Sequence, residues 1–178
     1  MQIGLPFRIR PSHVKEEGFP GDPSSVAKLL AEKKATAVHG QSRNGWILGA
    51  DTMVVLGTVI LGKPADPNEA RNMLCQLSGK THDVVTGFCL LDPLGKKVHS
   101  EAVTTQVKVR PLTEEEIGAY VATGEPFGKA GGYAIQGVGA FMVEALSGSY
   151  TNVVGLPVCA LIKALIRVGA LRSFPINR

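Results

Sequence analysis

Two charged residues, Asp51 and Lys63, stand out in the run GWILGADTMVVLGTVILGKP at residues 45–64, which is otherwise almost wholly apolar. A carboxylate drawn into an apolar strand is unfavourable unless a cation or hydrogen-bond donors meet it. A carboxylate at a strand end can hold a divalent cation or deprotonate a water. A lysine one strand away can neutralise phosphate oxygens, and the proline after it fixes the backbone where the strand stops. Residue types alone leave a second role open for each. Asp51 also suits a turn or cap bonded to nearby backbone N–H groups, and Lys63 a solvated strand end.

Other motifs with catalytic precedent fail on spacing. In GEPFGKA, Gly124 and Gly128 enclose three residues and alanine follows the lysine. A Walker A loop needs four residues there and a Ser or Thr for the metal. GVGAFM has two glycines of a dinucleotide fingerprint, lacks the third, and precedes a strand where that motif needs a helix. The histidines at 13, 39, 82 and 99 have no metal-ligand spacing. A serine triad has no nucleophile elbow to start from.

The elements that must position Asp51 and Lys63 are well punctuated. Asp22 and the proline after it open a helix that runs to Gly40. WILGADTMVVLG and TVILGK are β-rich runs separated by Gly57, expected to pair. Asp66 and Glu69 have capping-box spacing at the head of a second helix, as do Thr113 and Glu116 at a third. Between them, THDVVTGFCLLD and KKVHSEAVTTQVKVRPL form an expected antiparallel pair, the second alternating at Val103, Thr105, Val107 and Val109. A strand is expected in GAFMVEAL and a last helix from Pro157 through VCALIKALIRV.

With 178 residues, 44% hydrophobic and 19% charged, the chain suits one globular domain and not a disordered or fibrous class. The apolar run VVGLPVCALI is too short to span a bilayer, and MQIGLPFRIR lacks a signal-peptide core. A cytoplasmic protein with no membrane partner is expected. Cys75, Cys89 and Cys159 are expected to be reduced core residues. The net charge of +4 suits a polyanionic ligand such as a nucleotide as well as it suits a solvated surface. No basic stripe with interleaved aromatics indicates nucleic acid.

Taken together, ILGADTMVVLGTVILGKP, LCQLSGKTHDVVTGF, GYAIQGVGAFMVEALSGSYTNVVGLPV and LLAEKKATAV resemble the Maf family of nucleoside triphosphate pyrophosphatases, also described as septum-formation inhibitors. The likeness runs from about Gly4 to about Ile166, with the motifs in order. It implies a single α/β domain with a mixed sheet, of the type shared with inosine triphosphate pyrophosphatases, and a central nucleotide cleft. It implies hydrolysis of a nucleoside triphosphate to the monophosphate and pyrophosphate with a divalent metal, Mg²⁺ or Mn²⁺, and a homodimer. By the same resemblance Asp51, in GADT, is the catalytic base and a metal ligand. Lys63 in GKP and Lys34 in EKKA contact the triphosphate, and Glu16 in SHVKEE is a metal or water partner. Gln136 in AIQG is tied to base recognition, and Thr52 is a substrate contact or a β-forming core residue. AGGYAIQG is closer to the subfamily acting on dTTP and UTP than to the one preferring 7-methyl-GTP.

The chain departs from the family pattern at its start. Members usually begin with a strand and LASxSPRR before the segment like GLPF, whereas this sequence begins MQIGLPF. A helix N-terminus with serine and arginines is a phosphate site, and loss of the strand leaves a neighbour unpaired. Either a start placed too far downstream or a shortened gene accounts for this, and impaired turnover is expected of the sequence as it stands. The contrasting expectation is a regulator of cell division without catalysis.

Overall fold

The computed structural model describes residues 4–14, 21–40 and 45–175. Helix α1 (Pro23–His39) opens where expected, with the Asp22 carboxylate accepting from Ser25 N–H at 3.1 Å. Strand β1 (Ile47–Leu56) turns at Gly57 into the short β2 (Val59–Leu61). Helix α2 (Pro67–Leu77) leads to β3 (Thr81–Leu91), which pairs with β4 (Lys97–Val109). Helix α3 (Glu114–Ala122) follows, then two short 3₁₀ turns at Ala130–Gly132 and Val138–Met142. Strand β5 (Val143–Ser147), the single turn α4 (Tyr150–Val153) and helix α5 (Val158–Arg167) complete the described elements.

The strands form one sheet in the order β2-β1-β3-β4-β5. The α/β fold expected from the sequence is present. The sheet, expected to be mixed, is antiparallel at every described pairing. Helix α2 crosses over so that β3 returns beside β1 running the opposite way.

Strand β3 is buried on both faces, which explains its nearly unbroken apolar run. One face meets α1 through Val85, and the other meets α2 and α3 through Val84. Phe88 and Leu90 pack on Leu161 and Ala164 of α5. Tyr120 and Ile117 from α3 join Leu74 and Leu77 from α2 in the largest apolar cluster.

The contact between α1 and the sheet is unusually close. Ala27, Ala31 and Ala35 recur every fourth residue and are fully buried, so they form a low ridge along one helix face. Below them lie Gly49 of β1 and Gly87 of β3. A Cβ at Gly49 would fall 2.8 Å from Ala35 N, and one at Gly87 would fall 2.5 Å from Lys28 N. Backbone meets backbone here, and neither side has a flexible side chain to move aside.

Three sequence expectations change in detail. The strand expected across GAFMVEAL starts only at Val143. Gly137, at φ +126°, breaks the extended path, and the Glu125 carboxylate takes the N–H groups of Val138 and Gly139. At α2 the box is displaced by one residue. Asp66 accepts from Glu69 N–H, but Glu69 reaches back to Ala65 N–H. At α3 the Thr113 and Glu116 box is complete. Cys89 is buried as expected, whereas Cys75 and Cys159 are exposed, on helix faces turned away from the apolar clusters. All three are free thiols.

Gly87→Ala should therefore destabilise the fold by about 3 kcal/mol or more, at the upper end for overpacking, because rigid backbone leaves no room to repack. An equivalent change at the solvent-facing Gly40, where a Cβ meets nothing within 4 Å, should shift stability by less than about 1 kcal/mol. Chemical denaturation of both variants makes the comparison, and equal midpoints would remove the close-packing account.

Candidate active site

Strand β1 pairs with β3 from Ile47 to Val55, but β2 covers it only from Val54 to Leu56. Its outer edge from Ile47 to Met53 has no strand partner among the described residues. Here a cavity of about 300 Å³ draws its lining from both sides of the sheet. Lys34 comes from α1, and Val84, Tyr133 and Val153 from the opposite layer, with Ala50, Asp51 and Thr52 between them.

Asp51 is neither at a strand end nor in a turn. It sits inside β1, opposite Gly87, and is buried. Its partner is long-range: Lys34 Nζ donates to Asp51 Oδ1 at 2.6 Å. The glycine at 87 removes the side chain that would stand between the carboxylate and α1. Helical phase selects Lys34 from the lysines of α1, since it follows Leu30 and Ala31 on the buried stripe while Lys33 is exposed.

Thr52 points to the other face and joins a chain of hydroxyl groups. The Thr86 hydroxyl donates to Asn152 C=O at 3.0 Å and lies 2.9 Å from the Thr52 hydroxyl. Each hydroxyl has one hydrogen, so Thr86 spends its own on Asn152, and the Thr52 hydroxyl has Thr86 Oγ1 at 2.9 Å and Gly155 C=O at 3.5 Å within reach of its own. Its remaining lone pairs are left to accept from a ligand in the cavity. Asn152, fully buried, donates to Val84 C=O at 2.9 Å and to the Thr105 hydroxyl at 3.0 Å. These bonds fasten the GSYTNVVG segment, whose Val153, Val154 and Gly155 line the cavity.

Lys63 and Gln136 are exposed and line the same cavity. Gln136 is held from below. The Tyr120 hydroxyl accepts from Ala134 N–H at 3.2 Å on one side of it. The Glu125 carboxylate takes Val138 N–H at 2.9 Å and Gly139 N–H at 3.1 Å on the other. The cavity thus gathers Lys34, Asp51, Thr52, Lys63 and Gln136. Glu16, the remaining expected site residue, lies outside the described residues.

Two lining residues with polar side chains, Lys129 and Tyr133, were not selected from the sequence. Lys129 was set aside with the failed Walker A spacing, and Tyr133, although within AGGYAIQG, was given no role. A lysine at the end of a glycine-punctuated segment was the available signal for the first.

The donor set bears on a metal. Asp51 offers hard carboxylate oxygens, and one of them accepts from Lys34. No group of three or more His, Cys, Asp or Glu residues forms a metal site among the described residues. The Asp51 carboxylate suits a cation that takes one or two carboxylates plus substrate phosphates, as Mg²⁺ does.

The profile of the Maf family, described as "Maf-like protein", matches residues 1–168. The chain belongs to the Maf family. A relative from Syntrophotalea carbinolica, named dTTP/UTP pyrophosphatase, is 48% identical over 99% of this chain and 81% of its own length. One of the same name from Geobacter sulfurreducens is 48% identical over 94% of this chain and 88% of its own. A third, from Aquifex aeolicus, is 44% identical over 95% and 88% respectively.

In this Maf chain the floor of the cavity rests on a buried polar pair. His82 Nε2 lies 2.8 Å from the Tyr133 hydroxyl, joining β3 to the glycine-dense segment. Burial lowers the His82 pKa from 6.5 to about 4 and raises that of Tyr133. Both groups are therefore neutral at pH 7. Between pH 6.5 and 4 the unfolded chain binds a proton at this position and the folded chain does not. Stability from His82 is accordingly complete above pH 6.5 and falls as pH drops towards 4. The expected loss is about 1.4 kcal/mol per pH unit, and at most about 3 kcal/mol in total. Urea unfolding of the wild type and His82→Gln at pH 7, 6 and 5 tests this. Their stability difference should change in favour of the variant as pH falls, and a pH-independent difference would count against it.

Proposed function

We propose that this protein hydrolyses dTTP and UTP to the monophosphate and pyrophosphate. The observation that carries this reading is the meeting of Asp51, Lys34, Lys63 and Gln136 in one cavity, in a chain whose relatives are named dTTP/UTP pyrophosphatases. The consistent naming of those relatives favours pyrimidine nucleotides over 7-methyl-GTP.

A triphosphate carries about four negative charges, which must be offset before an anionic nucleophile can approach. Lys34 offsets the charge of Asp51 and can share its hydrogens with phosphate, and Lys63 faces the nucleotide from the other side of the cleft. Asp51 orients a water and takes its proton, while the α-phosphorus is attacked in line and pyrophosphate departs. Positioning and charge stabilisation provide most of the acceleration in such a reaction. When bound, Mg²⁺ or Mn²⁺ would be held by Asp51, with Glu16 as the second candidate ligand, and would neutralise phosphate charge. Gln136 offers both an amide donor and an amide acceptor to a base edge, and Thr52 offers an acceptor. A pyrimidine with ring N–H and carbonyl groups matches that pair.

The proposal extends to a cytoplasmic homodimer on the family's pattern. No helix among the described residues is long and apolar enough to cross a membrane.

Asp51→Asn should reduce pyrophosphate release from dTTP by about 10³-fold or more, while nucleotide affinity changes by less than about tenfold. A coupled pyrophosphate assay and calorimetric titration with a non-hydrolysable dTTP analogue measure the two quantities. Hydrolysis retained in the variant would remove Asp51 as the base.

A further inference from the structure

The segment GEPFGKA fails as a phosphate loop by sequence, yet its lysine reaches the cleft. We propose that Lys129 is a phosphate-binding residue that shares with Lys63 the pyrophosphate end of the nucleoside triphosphate. This rests on the pyrophosphatase reading given above and assigns a further cation to that site.

The backbone ties the two lysines into one wall. Gly131 N–H donates to Gly62 C=O at 2.9 Å, joining the turn after Lys129 to the residue before Lys63. Gly131 and Gly132 follow in succession at φ +70° and +69°, a conformation open to glycine and strained for other residues. A Cβ at Gly131 would fall 2.9 Å from Val54 Cγ1, so the turn is pressed directly on β1. Lys129 itself is fixed at both ends, its N–H donating to Pro126 C=O and its C=O accepting from Gly132 N–H.

The ammonium is also uncommitted. Among the described residues Lys129 has no ion-pair partner. The nearest acid along its segment, Glu125, is occupied by Tyr120 and by the N–H groups of Val138 and Gly139. Lys129 lines the cavity beside Lys34, Lys63 and the carboxylate of Asp51. An ammonium at the mouth of a cavity is drawn to a polyanion that fills it.

Placement along β1 indicates which phosphates are met. Val54, on which the Gly131 turn rests, is three residues beyond Asp51, or ~10 Å along a strand. In-line displacement places the leaving group away from the attacking water. With water at Asp51, the departing pyrophosphate extends toward the wall that carries Lys63 and Lys129.

Calorimetric titration in Mg²⁺ buffer with α,β-imido-dTTP, inorganic pyrophosphate and dTMP tests the assignment on the wild type, Lys129→Met, Lys129→Gln and Lys129→Arg. Lys96→Met, in the exposed turn between β3 and β4, is the control for loss of charge alone. Lys129→Met and Lys129→Gln should weaken the triphosphate analogue and pyrophosphate by roughly tenfold or more and leave dTMP within about twofold. Lys129→Arg should recover most of the loss, and Lys96→Met should match the wild type. Equal weakening of all three ligands would reassign Lys129 to a structural role. Unchanged affinity for the triphosphate analogue and pyrophosphate would overturn the proposal while leaving the pyrophosphatase reading intact. A wild type that binds none of the three would overturn that reading, and this assignment with it.

Discussion

The site depends on how closely α1 approaches the sheet. Ala27, Ala31 and Ala35 rest over Gly49 and Gly87 with backbone nearly in contact, and that spacing sets the reach of Lys34. Lys34 meets Asp51 at 2.6 Å, with its side chain 20% exposed and that of Asp51 7%. Removing one member of so buried a pair strands the other charge, so packing and electrostatics constrain each other. The small residues are as much part of the site as the charges they bring together.

The opposite wall solves a different problem. Residues 124–155 are rich in glycine and carry little regular structure, so an apolar core cannot hold them by itself. Buried polar anchors do so instead. Glu125 and Tyr120 bracket the segment bearing Gln136, and His82 ties Tyr133 to β3. Asn152, Thr86 and Thr105 fasten the turn of α4 to the sheet. Each anchor reaches a backbone group or a buried hydroxyl, where an unmade bond is costly. Such anchoring fixes lining residues without occupying the cavity, and glycine lets the backbone pass close enough to use it.

What was legible in the sequence divides along range of interaction. Helix starts at Asp22, Asp66 and Thr113 depend on residues three apart, and all three caps form. The pairing of β3 with β4 follows from alternation and a turn, and it too was legible. Asp51 could be singled out as a carboxylate in need of a partner, but residue types could not separate a base from a turn residue. Its partner is 17 positions away on a helix, and only helical phase selects Lys34 over Lys33. The late start of β5 depends on the Glu125 contact with Val138 and Gly139, more than ten residues distant. Lys129 was obscured because a spacing rule written for a helix-capped phosphate loop rejects a lysine held by a glycine turn. The motif match named the cleft, while the residues that shape it were visible only in three dimensions.

The pairing of Lys34 with Asp51 bears on how a carboxylate can serve a polyanionic substrate at all. An isolated Asp51 would repel phosphate oxygens at short range, strongly so in a partly dry cleft. Bonded to Lys34, it presents a nearly neutral unit to the approaching nucleotide. The lysine can then share its three hydrogens between Asp51 and phosphate, so binding need not break the pair. Lys63 and Lys129 line the other wall of the cavity. Attraction is concentrated where pyrophosphate gathers charge as it leaves, and the wall bearing the base stays close to neutral. A cleft divided in this way favours the charge distribution of the transition state over that of the bound substrate, which is the condition for a faster chemical step.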